Sequence, residues 1–80
     1  MIALATKAFI LIEAKVGGVQ QVVGSLRALK GVTSADIITG TYDIVVLVEA
    51  DDMSAMAELV TGQIQGVSGV LRTITCVAAG

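Results

Sequence analysis

The apolar positions change period along the chain, and the changes mark six elements. Lys7-Ala8-Phe9-Ile10-Leu11-Ile12-Glu13-Ala14-Lys15 reads as a strand, rich in β-branched and aromatic residues and closed by Lys at both ends. Phe9 and Leu11 point one way and Ala8, Ile10 and Ile12 the other, so both faces ask for burial. After Gly17-Gly18 the period lengthens. Val16, Val19, Val22, Val23, Leu26 and Leu29 recur in steps of three and four, which predicts a helix with Gln20, Gln21, Ser25, Arg27 and Lys30 on its other face. Gly24 weakens that helix and is expected where the helix comes close to the sheet. Gly31 ends it, where a left-handed residue is wanted. Val32 to Thr39 follows as a second strand. Thr39-Gly40-Thr41-Tyr42 is a turn, with Gly40 free to take a positive φ. Asp43 to Ala50 is the strongest strand, again apolar on both faces. Asp51-Asp52 can cap a second helix, whose apolar face is Met53, Met56, Ala57, Leu59, Val60 and Ile64 and whose stop is Gly66. A last strand runs from about Val70 to Ala78, with Thr73 and Thr75 alternating against Arg72, Ile74 and Cys76.

The order is therefore strand, helix, strand, strand, helix, strand. A faint repeat runs through it. Gly31-Val32-Thr33-Ser34 returns as Gly66-Val67-Ser68-Gly69, and Ile12-Glu13-Ala14 returns as Val48-Glu49-Ala50. Two βαβ units joined by the turn at Gly40 account for this. The fold class expected is α+β: a ferredoxin-like βαββαβ arrangement, with a four-stranded antiparallel sheet and two helices on one face.

Composition sharpens that picture. The chain has 80 residues, room for one domain over 1–80, with 55% apolar and 15% charged residues. The charged share is low against a typical share of about 25%. This is the opposite of a disordered chain, yet no apolar run approaches the roughly 20 residues that span a bilayer. Met1–Ala5 has no basic region, and its apolar stretch is too short for a signal peptide. Two helices can cover only one face of such a sheet. The other face carries Ile10, Ile12, Val46 and Val48, or their alternates, and would be a large exposed patch on a monomer. About eight such side chains at roughly 1.5 to 3 kcal/mol each set an upper bound of about 10 to 20 kcal/mol for covering it. A homodimer packed sheet face to sheet face is expected, and rings of dimers can follow.

Candidate chemistry is sparse. The sequence has no His, Trp or Pro, and one cysteine, Cys76. No disulfide, metal site or cofactor is expected, and Cys76 reads as a small buried hydrophobe. A net charge of −2 gives no basic footprint for nucleic acid, so direct nucleic-acid binding is not expected, nor is membrane binding. The reduced cytoplasm is the default location. Lys15-Val16-Gly17-Gly18 lacks the spacing of a phosphate loop. Arg27 and Arg72 read as solvated. Gly40-Thr41-Tyr42-Asp43 is the informative stretch. In one reading the Tyr packs on a dimer partner and the Asp accepts hydrogens from turn amides. In another the turn amides bind a carboxylate, Asp43 binds an ammonium and Tyr42 walls a pocket, a set suited to a free amino acid.

Asp36-Ile37-Ile38-Thr39-Gly40-Thr41-Tyr42-Asp43-Ile44-Val45-Val46-Leu47-Val48 resembles the Gly-x-Tyr-Asp core of the ligand-binding domain of Lrp/AsnC regulators (leucine-responsive regulatory protein and relatives). Asp52 at a helix start, Ile64-Gln65-Gly66-Val67, and Arg72-Thr73-Ile74-Thr75 fit the same pattern, and the resemblance runs from about Ala8 to Val77. It implies the βαββαβ fold known as the regulation-of-amino-acid-metabolism domain. It implies dimers through the sheet faces, forming a dimeric α+β barrel, and assemblies such as octamers or decamers. Effectors, usually amino acids, bind in clefts between dimers. Gly40, Thr41, Tyr42 and Asp43 would form the ligand-binding core, with Thr73 and Thr75 as weaker members. Asp43 would meet the ammonium and the turn amides the carboxylate. Typical members carry a helix-turn-helix domain before this one. Here the sequence begins at the sensor domain, so the expectation is a stand-alone module that works alone or with full-length relatives as partners. A small dimeric barrel enzyme, of monooxygenase or isomerase type, is the alternative, though its sites generally use His, Arg, Asn or Trp. A purely structural or adaptor oligomer is a third.

Overall fold

The computed structural model describes residues 5–79; Gly80 and Met1–Leu4, part of the stretch read above as carrying no leader, lie outside the described residues. Strand β1 (Thr6–Ala14) leads to helix α1 (Val19–Arg27), then β2 (Val32–Ile37), β3 (Ile44–Ala50), α2 (Met53–Glu58), a π-helical turn (Leu59–Ile64) and β4 (Val70–Val77). The sheet order is β2-β3-β1-β4, and all three pairings are antiparallel. This is the ferredoxin-like βαββαβ arrangement the pattern predicts. No described helix is long and apolar enough to cross a membrane.

Alternation along the two central strands sorts the side chains. Ala8, Ile10, Ile12, Ile44, Val46 and Val48 are all fully buried beneath the helices, with Val22, Val23 and Leu26 of α1 and Met56, Leu59, Val60 and Ile64 against them. Their register partners keep them on one face, Ile10 opposite Val46 and Ala8 opposite Val48. The open face therefore carries the alternates: Phe9, Leu11, Val45, Leu47, Ile74 and Cys76. Phe9 is 43% exposed and Ile74 42%. Leu11, Val45 and Leu47 are half-buried by their neighbours in the sheet. The exposed apolar surface is thus smaller than the composition implied, and the gain from covering it falls below the upper bound given above. Cys76 is exposed on this face opposite Phe9, not buried, because β4 is an edge strand that only β1 flanks.

Local signals fare unevenly. Asp52 caps α2, its carboxylate Oδ1 accepting from the Ala55 amide at 2.7 Å. Gly24 does not approach the sheet: it is exposed, and a side chain there would meet nothing within 4 Å. The close approaches are at Gly31 and Gly69, both at φ +97°. A Cβ on Gly31 would lie 3.0 Å from Leu59 Cδ2, and one on Gly69 would lie 2.8 Å from Val22 Cγ2. Each glycine opens an edge strand beneath the opposite unit's helical segment. Gly69, not Gly66, is therefore the counterpart of Gly31 in the repeat. The second helix is not uniform either. From Leu59 it widens, the Gln65 amide reaching the Val60 carbonyl at 2.9 Å, and this turn puts Leu59, Val60 and Ile64 into the core.

Candidate functional site

The turn 38–43 joins β2 to β3 at one end of the sheet, and Asp43 locks it. The Asp43 carbonyl accepts from the Ile38 amide at 2.9 Å, its amide donates to the Ile12 carbonyl at 2.9 Å, and its carboxylate Oδ2 accepts from the Ala14 amide at 2.8 Å. The last bond has a topological cause. The β1–β3 ladder ends at Ile12 and Ile44, while β1 continues to Ala14. Ala14 is buried, and a short carboxylate supplies the acceptor that strand β3 no longer offers. The Asp43 carboxylate therefore accepts from β1, while its carbonyl takes the Ile38 amide of the turn.

Those turn amides are left available. Among the described residues, the N–H groups of Thr39, Gly40, Thr41 and Tyr42 have no backbone partner. Thr39, Gly40 and Thr41 are exposed, and Gly40 sits at φ +137° with open space around its Cα. N–H groups without backbone partners on a glycine turn can donate to a carboxylate.

The structure adds two residues that the sequence pattern passed over. Arg72 on β4 stands directly opposite Glu13 on β1, so both point to the open face. Arg72 Nε lies 3.7 Å from Glu13 Oε1. The Arg72 guanidinium carbon lies 5.8 Å from the centroid of the Tyr42 ring, within range of a cation–π contact. The turn, the end of β1 and the start of β4 thus converge, bringing Tyr42, Asp43, Glu13 and Arg72 together. Between Glu13 and Ala14 the pairing shifts register, with Ala14 opposite Val70, so that Leu71 is the extra residue of a bulge and is 63% exposed.

Thr73 and Thr75 are not on that side. Their register partners are Ile12 and Ile10, so both face the helical layer. The Thr73 hydroxyl accepts from Gln65 Nε2 at 3.0 Å, and Thr75 is exposed. Thr73 shares a cleft of about 410 Å³ with Gln65, Val70, Leu71 and Arg72 along the outer edge of β4. A groove of about 700 Å³ lies at the far end of the sheet, lined by residues including Thr6, Lys7, Glu49, Met53 and Val77. Among the described residues no group of three His, Cys, Asp or Glu side chains stands together to hold a metal ion.

Comparison with known proteins agrees with the fold. The family model for the Lrp/AsnC ligand binding domain matches residues 7–79. The crystal structure of TTHA0845 from Thermus thermophilus is 34% identical, with a TM-score of 0.87 and coverage of 91% of this chain and 91% of that one. AsnC from E.coli superposes with a TM-score of 0.88 at 25% identity over 94% of this chain but only 51% of its own length. The transcriptional regulator NMB0573 of Neisseria meningitidis, solved as a complex with L-Met, has the same fold at 21% identity and a TM-score of 0.87, and this chain covers 52% of it. No curated protein sequence gives a significant match.

Proposed function

This chain belongs to the Lrp/AsnC ligand-binding domain family, and we propose that it is an oligomeric sensor of a free amino acid, acting in transcriptional or metabolic regulation. The observation that carries the reading is the turn at Gly40–Asp43. It offers amides with no backbone partner beside acidic groups and an aromatic ring, which suits a zwitterion. Amides take the carboxylate, and an acidic side chain takes the ammonium. Thr73 and Thr75 face the helical layer, away from the turn, and neither is part of this site. That NMB0573 was solved with L-Met supports an amino acid as the ligand class. The open sheet face supports a homodimer, and larger rings or co-assembly with full-length Lrp/AsnC regulators extend the same proposal.

The test is a thermal-shift screen of the common L-amino acids at millimolar concentration. A ligand that binds only the folded state stabilises it by about 2.7 kcal/mol at a concentration of 100 Kd. One or a few amino acids are expected to raise the Tm with concentration. A flat response across the set contradicts the reading. Turnover of any of them by the purified protein would favour the enzyme alternative instead.

A further inference from the structure

Asp43 is the acid that family resemblance points to, yet its Oδ2 is already held by the Ala14 amide at 2.8 Å. That bond fixes the end of β1, the residue next to Glu13. Glu13 itself meets Arg72 only through one contact of 3.7 Å, and the two side chains are 38% and 60% exposed. An exposed pair in this geometry contributes almost nothing to stability, so separating it costs little. The terminal nitrogens of Arg72 have no partner among the described residues. Tyr42 holds the guanidinium beside the turn whose amides are free. An anion and a cation of this kind, adjacent and weakly committed to each other, match the two charges of an α-amino acid in reverse order. Each charge would gain a charge-assisted hydrogen bond on exchange.

We propose, resting on the sensor reading above, that Glu13 and Arg72 are the charges that determine specificity. Arg72 joins the turn amides on the ligand carboxylate, Glu13 takes the ammonium, and Asp43 is a positioning residue that holds the strand end carrying Glu13. The site then selects for both charges of an amino acid and binds analogues that lack either more weakly.

The experiment uses the purified full chain and the amino acid with the largest shift in the screen. It adds the amine and the carboxylic acid that match that ligand but lack one charge. Glu13→Gln and Arg72→Gln are each expected to weaken binding of the amino acid by roughly tenfold or more. For the carboxylic acid analogue, wild type and Glu13→Gln should bind alike. For the amine analogue, wild type and Arg72→Gln should bind alike. Asp43→Ala should lose the response, and Asp43→Asn, which keeps an oxygen for the Ala14 amide, should restore it. If Glu13→Gln and Arg72→Gln bind like wild type while Asp43→Asn abolishes binding, the assignment falls and the sensor reading stands. If no amino acid shifts the wild type, both fall.

Discussion

The two faces of the sheet are built from alternate residues of the same strands, and they differ sharply. Beneath the helices, Ile10, Ile12, Val46 and Val48 lose all contact with water. One residue along, Phe9 stays 43% exposed, with Leu11, Val45 and Leu47 half-buried beside it. Sequence character barely separates the two sets, since both are apolar and mostly aliphatic. What separates them is that each βαβ unit crosses over on the same side, so both helices land on one face. A monomer gains nothing from apolar residues on the side left bare. The proposed homodimer would cover them, and the rim of Lys7, Glu13, Glu49 and Arg72 around the apolar centre matches the anatomy of a protein interface.

Substitutions on the two faces should separate folding from association. The largest effect is expected at Ile10→Ala, which empties space in a fully buried position and should cost about 2 to 5 kcal/mol in chemical denaturation. An equal Cm to wild type would mean that the covered face does not carry the core. Next is Arg27, on the helical side but reaching the sheet's outer strand. Its Nε and Nη2 both donate to the Ala35 carbonyl, at 3.0 and 2.7 Å. That carbonyl points away from β3, because the Ile38 amide bonds inward to Asp43 and the pattern alternates. Arg27 thus blocks the β2 edge, while among the described residues no side chain bonds a β4 carbonyl in this way. Arg27→Met should cost about 1 kcal/mol, discounted for exposure, and should leave the assembly unchanged. The smallest effect on the fold of a single chain is expected at Phe9→Ser, under about 1 kcal/mol once the chain is dissociated. On association the order reverses, and Phe9→Ser should have the largest effect of the three. Far-UV circular dichroism together with sedimentation separates the two readouts.

Much of this fold is written in local periodicity. The helix and strand order, the Asp52 cap and the turn at Gly40 all follow from neighbours in sequence. Which face of β1 and β3 is covered does not, since Ile10 and Leu11 are equally suited to burial. Gly24 misleads for a related reason: a glycine inside a helical pattern signals an approach, but here the approaches are made by Gly31 and Gly69 at strand starts. The widening at Leu59–Ile64 has only a weak trace, Thr61 bonding back to the Ala57 carbonyl at 2.7 Å. The turn of the candidate site is readable as a turn. Its partners are not, because Arg72 meets Glu13 and Tyr42 only through the register of β4 on β1, and Asp43 meets Ala14 only because β1 outruns β3. Both are facts about strands far apart in the chain. A charged residue at a strand's end, as Glu13 and Arg72 are, is a signal worth testing against register before it is set aside as solvated.

Sedimentation of the wild-type protein at micromolar concentration tests most directly whether the bare face of the sheet is a contact between copies of this chain. A dimer or a larger multiple of 8.1 kDa is predicted, with Phe9→Ser shifted toward one chain. A folded wild-type particle of 8.1 kDa that does not associate would contradict it.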